Sequence, residues 1–500
     1  MKKGQGKRKK RMVLLKNKEL MTNFANLINN HGFFTSQNKK SENALNNNKQ
    51  ATLELGTKPV GKLLTQYALP AIVAMSASSL YNTIDSIFIG KGVGALAISG
   101  LAITFPFMNL SGAFGAAVGV GSSTMISVRL GQKDYATALN IFGNCISLNF
   151  LIGLAFATIT LLFLDPILLF FGASEQTLPY AREYMQIILL GNVITHMYLG
   201  MNAVLRAASK PRQAMYATIF TVVLNTILDP LFIYVFHLGI RGAAFATVLA
   251  QFVAMCWQGF LFSDRRGIIH FERGIYKLKS NIVKNIVGIG LSPFLMNVTA
   301  CLVVIVFNKS LYAYGGDLAV GAYGIVHRIS FIFLMVVFGL NQGMQPIAGY
   351  NYGAMQFDRM MLVLKYTITA ATVISVLGWI VSEFMPYYCS ILFTDDSKLI
   401  AFSERGLKVA NLALPIVGFQ IVVTNFFQSI GKAKISIFLS LSRQLLFLLP
   451  VLLILPRYMQ LDGVWASFPI SDTISFVVAL AILIKYMRHF SKLHKQREYA

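Results

Sequence analysis

Charged side chains are scarce in this sequence, 13% of 500 residues, about half of the roughly 25% usual in soluble chains. Hydrophobic residues supply 55%, more apolar surface than a water-soluble fold could hide. Acids are rarer still: 20 Asp plus Glu stand against 44 Lys plus Arg, a net charge of +24. Only four cysteines occur, Cys145, Cys256, Cys301 and Cys389, and their scatter excludes a disulfide framework or a metal-binding spacing. No HExxH helix and no DxxxD pair is present, so zinc proteolysis and magnesium-dependent prenyl transfer lack their signatures and an enzyme is not expected. The Gly-rich AAVGVGSS at 116–123 has no preceding strand and no Lys-Ser/Thr ending. It reads as close helix packing, not as a phosphate loop.

What the chain has instead is long apolar runs. A bilayer core needs about 20 residues as a helix, and runs of that length fall near 63–89, 97–124, 138–164, 183–205, 213–236, 243–263, 282–313, 321–347, 361–385, 407–430, 435–455 and 463–486. None alternates in polarity as a barrel strand would. The expected fold is an all-α membrane protein with twelve transmembrane helices in two pseudo-symmetric six-helix bundles. The basic residues crowd into the tails and into the connections after even-numbered spans. That is the pattern of membrane topology, not of a nucleic-acid face, and it predicts a multi-pass protein of the inner (cytoplasmic) membrane with both termini cytoplasmic. No cleavable signal peptide is expected, because its apolar core and small-residue cleavage site are missing.

The halves resemble each other. YALPAIVAMSASSLYNTIDSIFIG (67–90) lies over GIGLSPFLMNVTACLVVIVFNKSL (288–311) with Pro70 on Pro293. LRAASKPRQAMYA (205–217) lies over QSIGKAKISIFLS (428–440), LNTILDPLFIY (224–234) over QLLFLLPVLLI (444–454), and RGAAFATVLAQ (241–251) over DGVWASFPISD (462–472). Six spans per half keep both halves in one orientation, so their axis runs along the membrane normal. The expected organisation is a disordered basic tail at 1–54, a first lobe at 55–263, a cytoplasmic linker at 264–281, a second lobe at 282–487 and a basic tail at 488–500. A cavity between or within the lobes, worked by rocking, follows from that architecture.

A carboxylate near the middle of a span costs about 2.5–3.5 kcal/mol on insertion scales, so each needs a reason. Asp85 and Asp229 are the deepest acids, and the repeat puts Asn308 and Leu449 in their places in the second half. Packing alone would treat the lobes alike. Asn225 precedes Asp229 by one turn, Pro230 frees backbone carbonyls, and Thr247 offers a hydroxyl from the next span. Two carboxylates, an amide oxygen and a hydroxyl form a hard oxygen cage suited to Na+; the same carboxylates could instead carry H+. Arg443, Arg328 and Lys309 are the basic residues expected inside spans, all in the second half, two of which could simply reach toward an interface as long basic side chains do, whereas Glu383 and Asp472 read as lying near span ends. His196 and His327 read as core histidines.

LPAIVAMSASSLYNTIDSIFIG, LNTILDP, GIRGAAFATVLAQ and GLNQGMQPIAGYNYGA (339–354) together resemble the multidrug and toxic compound extrusion transporters, over about residues 56–486. The branch they resemble keeps its acids in the first lobe. The resemblance implies export of cationic or amphipathic drugs and metabolites in exchange for Na+ or H+ by alternating access. It implies a cation site at Asp85, Asn225, Asp229 and Thr247 with the carbonyl of Ala243, and cavity-lining roles for Tyr81 and Asn202. The partners it implies are a small amphipathic molecule, the coupling cation and the bilayer; no organic cofactor is expected, and a monomer is expected because nothing in the sequence requires more than one copy of the chain. A lipid-linked oligosaccharide flippase of related fold is the alternative; its pyrophosphate cargo calls for Arg and Lys where this first lobe has acids.

Overall fold

The computed structural model describes Gln50 and residues 52–498, so the tail expected at 1–54 lies almost wholly outside the described residues. The described chain is helical throughout, 87% of it, with no strand among the described residues. The first half comprises α1 (Val60–Gly92), α2 (Ala95–Gly131), α3 (Tyr135–Leu162), a bent α4 (Leu178–Leu190 and Asn192–Ala207), α5 (Pro211–Pro230, prolonged by the π-helical turn Leu231–Val235) and α6 (Ile240–Ser263). In the second half the helix Ser280–Gly353 turns back at Gly316, whose φ of 67° is open to glycine, giving α7 (280–315) and α8 (317–353). Then follow α9 (Phe357–Phe384), a bent α10 (Ser397–Ala410 and Leu414–Ser429), α11 (Ala433–Leu441 with the π turn Ser442–Leu448 and Leu449–Ile454) and α12 (Pro456–Glu498, broken at Gln460). Among the described residues, nine long apolar helices and two bent pairs make eleven candidate spans; the turn at Gly316 divides one of them, and the expected twelve result.

The duplication extends to features that no hydropathy pattern shows. α4 bends by 55° and α10 by 56°. A short helix precedes each bend, Leu164–Phe170 and Pro386–Ile391, and the fifth helix of each half contains a π turn. Ser209 (φ 63°) and Gly431 (φ 74°) take left-handed conformations at equivalent turns before α5 and α11. The linker packs on α3 of the first lobe: Asn144 donates to the carbonyls of Ile275 and Lys277 and accepts from the amide of Lys279, while Ser147 donates to the Tyr276 carbonyl.

Burial shows how the lobes meet. One apolar core joins both halves at the end near the tails, with Leu63, Ile126, Phe142, Ile286, Met344, Ile347 and Phe427 among its members. At the other end the core divides. Ile89, Phe107, Tyr184 and Ala243 belong to a cluster confined to the first lobe, and Phe307, Val326, Leu407 and Trp465 to one confined to the second. The lobes therefore form a V whose vertex is on the tail side.

In lipid there is little hydrophobic drive between helices, and close packing of small residues takes over. The vertex is built that way. A Cβ at Gly121 would strike the carbonyl oxygen of Ile286, one at Gly290 that of Ala117, one at Gly131 that of Tyr350, and one at Gly353 that of Val128. Side chains lock the same seam: Gln345 donates to the hydroxyls of Ser123 and Thr124 (3.2 and 2.8 Å), and Arg359 to the carbonyl of Lys58 at 2.6 Å. Gly353→Val should introduce roughly 1–3 kcal/mol of overpacking and raise the fraction opened on the tail side about tenfold. A cysteine replacing the fully buried Ile347, in a background without the native cysteines, would then be alkylated faster from the tail side; an unchanged rate would mean the seam does not hold the vertex shut.

Candidate cation site in the first lobe

Three helices bring the site together. α1 carries Tyr81 and Asp85 one turn apart, α5 carries Asn225 and Asp229 one turn apart, and α6 supplies Ala243 and Thr247. Spacing by four residues puts each pair on one helix face, and all three faces turn inward. Asp85 is 5% exposed, while Asn225, Asp229 and Ala243 are fully buried.

The hydrogen bonds leave a particular set of atoms free. The Tyr81 hydroxyl pairs with the Thr247 hydroxyl at 2.9 Å. The Asn225 amide donates to Asp229 Oδ1 at 3.2 Å and to Thr247 Oγ1 at 3.3 Å. Asp85 and Asp229 interact directly through their carboxyl groups. Asp85 Oδ1, Asn225 Oδ1 and Asp229 Oδ2 are buried and accept nothing. Among the described ion pairs, neither acid has a Lys or Arg partner.

Unpaired buried oxygens are costly, and those of carboxylates more so. Three in one cluster make a locus for positive charge, since two touching carboxyls out of water need at least one cation or proton between them. The donor set is all oxygen, which suits a hard ion such as Na+. Pro230 removes a backbone donor from α5 directly after Asp229, and the π turn Leu231–Val235 follows it. Gly242 admits the Phe232 backbone of that turn against α6, where a Cβ would lie 2.9 Å from it.

Of the residues expected to form the cation site, Asp85, Asn225, Asp229 and Thr247 converge, and Ala243 lies one turn before Thr247. Of the two expected to line the substrate cavity, Tyr81 joins this cluster through Thr247, and Asn202 donates to the Ala214 carbonyl at 3.0 Å and accepts from Arg206, holding α4 to α5. Tyr184 escaped the sequence reading. This fully buried side chain of α4 lies beside Thr247 and both acids, yet α4 is distant in sequence and no spacing rule links the two.

The expected set of buried basic residues also needs correction. Lys309 and Arg328 lie on exposed faces, Arg328 over the Phe393 ring at 5.9 Å, and a half-buried Arg206 in the first lobe was overlooked. Long basic side chains reach outward where they can. Asp472 is not near a span end; it is 5% exposed within α12 and bonded to Arg443.

The MatE family model matches residues 70–231 and 290–454, one stretch in each lobe. The chain belongs to the MatE family. A multidrug export protein MepA from Staphylococcus haemolyticus (strain JCSC1435) is 28% identical over 422 residues, covering 84% of this chain and 93% of that protein. The MepA of Staphylococcus aureus (strain N315) is 27% identical over 425 residues, with 85% and 94% covered. A solved MATE family transporter of the MOP superfamily, in an outward-facing conformation, superposes with a TM-score of 0.82 at 25% identity, covering 88% of this chain and 98% of its own. A MATE structure in the bent conformation gives 0.83 at 24% identity, a likeness of fold. As a MatE member the chain is a multi-pass membrane protein.

Thr247 holds this site through two side-chain bonds. Intramembrane bonds average about 0.6 kcal/mol each, so Thr247→Val should cost on the order of 1 kcal/mol in reversible unfolding from mixed micelles; no loss would show that Tyr81 and Asn225 find other partners.

Proposed function

We propose that this MatE protein is a multidrug efflux transporter that moves cationic or amphipathic small molecules out of the cell in exchange for Na+ or H+ received at Asp85 and Asp229. The observation that carries this reading is the contact between two buried carboxyls with no basic partner, beside the free oxygens of Asn225 and Asp229. A permanently paired acid would be structural; an unpaired one in hydrocarbon is suited to a charge that comes and goes. The names of the Staphylococcus relatives support export of drugs as the direction of work.

In this reading the domains are those expected from the sequence, a first lobe at 55–263 and a second at 282–487 joined by the linker, with the chain a monomer. The basic tail side is cytoplasmic in an inner membrane, and the V then opens outward. Substrate leaves from the cleft, the cation enters by the same opening and binds in the first lobe, and the vertex must part for the next substrate to load from inside. Each Na+ or H+ descending a 100 mV potential supplies about 2.3 kcal/mol, enough to concentrate a substrate tens of fold. Asp85, Asn225, Asp229 and Thr247 would hold Na+; for H+ the two carboxyls alone would suffice. The acidic first-lobe interior does not favour a pyrophosphate-carrying flippase.

Asp85→Asn and Asp229→Asn each remove one of the two charges while keeping size and hydrogen-bonding capacity. Efflux of a lipophilic cation from proteoliposomes, driven by an imposed Na+ gradient or an imposed proton gradient, should fall at least about tenfold in either variant, as expected where a loss of 1.4 kcal/mol or more of coupling free energy is involved. The gradient that drives the unmodified protein identifies the coupling ion. Undiminished efflux in both variants, at equal reconstitution, would remove the proposal.

A further inference from the structure

The second lobe contains a cavity of about 220 Å³ where α7, α8, α10, α11 and α12 meet. α7, α11 and α12 are the repeat counterparts of α1, α5 and α6, so the cavity is the pseudo-symmetric partner of the cation site. Its chemistry is different. The duplication puts Val304 where the first lobe has Tyr81, and Phe468 where it has Thr247; both line the cavity. Charge is supplied from elsewhere, by Arg443 on the π turn of α11 and Asp472 on α12, both in the same wall.

Three observations point to a ligand. First, Arg443 donates to Asp472 Oδ1 through Nε at 2.8 Å, and its side chain remains 27% exposed. That bond uses Nε, and Arg443 lines the cavity, so its guanidinium offers there a planar charge of the kind that matches a carboxylate. A buried ion pair is often no more stable than apolar residues of the same volume, so packing is a weak reason for this one. Second, Gln444 Oε1, next in the chain and in the same wall, is buried with no donor. It needs an O–H or N–H that no described residue gives it. Third, an aromatic wall faces these groups: the Tyr323 and Phe468 rings lie 14° from parallel with centroids 6.4 Å apart, and His327 packs beside Tyr323 at 5.8 Å. π-helical turns such as the one carrying Arg443 and Gln444 are frequent at functional sites.

We propose that this second-lobe cavity binds a small aromatic carboxylate carrying a hydroxyl or amino donor, its carboxylate on Arg443, its donor on Gln444 Oε1 and its ring among Tyr323, His327 and Phe468. The volume is below the roughly 300 Å³ at which pockets begin to take drug-sized molecules, so a single ring is the size class. The ligand is an anion, opposite in charge to what the first-lobe acids attract, and its binding does not depend on the cation site. Asp472 keeps the empty cavity neutral and yields part of the guanidinium when the ligand arrives.

The probe is 4-hydroxybenzoate, titrated calorimetrically into the purified full-length protein in nanodiscs. Saturable binding is expected. Benzoate, which lacks the donor, should bind about fivefold more weakly, and Gln444→Leu should remove that difference. Arg443→Gln should lower the affinity at least about tenfold. Because that variant leaves Asp472 unpaired and could misfold, the uncharged pair R443Q/D472N is measured beside it with the same expected loss. Absence of saturable binding to the unmodified protein, undiminished affinity in R443Q/D472N, or a loss produced instead by Asp229→Asn would each overturn the proposal.

Discussion

Two carboxyl groups, Asp85 on α1 and Asp229 on α5, meet out of water with no basic ion-pair partner among the described residues, and much of the first lobe is arranged around that contact. Asn225 fixes one of them with its amide and leaves its own oxygen free. Thr247 joins α6 to both neighbours through Tyr81 and Asn225. The oxygens left over have no partner among the described residues, and a positive charge among them would offset the cost of their desolvation. A helix bundle that kept such a group only for stability would do as well or better with apolar residues.

In the V, a positive charge at that contact would have somewhere to act. The two lobes share one core at the tail-side vertex and have separate cores beyond it. The vertex is closed by glycines so near to facing backbone that no side chain fits between the helices. Such a seam is either packed or parted, because close-packed interiors are bistable and not gradually deformable. The acids lie in the first lobe away from that seam, so coupling between them and the vertex must travel through α1 and α5. α1 touches the second lobe where Gly339 and Gly343 of α8 press on Ile72 and Ala68. α5 contains the Pro230 kink and its π turn, irregularities at which a helix can change shape.

Much of this was legible in the sequence, and the parts that were not have physical reasons. Hydropathy identifies spans because the bilayer imposes one length and one polarity on each of them; the duplication shows because Pro70 and Pro293, and Pro230 and Pro450, keep their spacing. Asp85 and Asp229 stand out because acids in apolar runs are expensive. Spacing within one helix also brought Asn225 to Asp229. Contacts between helices far apart in sequence left no such mark. Tyr184 reaches Thr247 from α4, and Arg443 reaches Asp472 across 29 positions, so a residue read as near a span end proved to be half of a buried pair. Lys309 and Arg328 reach outward, the alternative the sequence left open for two of the three basic residues, because a position within a span does not say which face of the helix it occupies. The bends of α4 and α10 and the two π turns are likewise set by packing, not by periodicity.

The central claim is that one positive charge, Na+ or H+, occupies the Asp85–Asp229 contact and competes with a cationic substrate. Equilibrium binding of a lipophilic cation such as tetraphenylphosphonium to the purified protein, followed while Na+ and pH are varied separately, tests it directly. Affinity should fall as one of the two ions rises and should stop responding to that ion in Asp85→Asn and Asp229→Asn. Binding that ignores both ions in the unmodified protein, or that responds equally in the variants, would contradict the account.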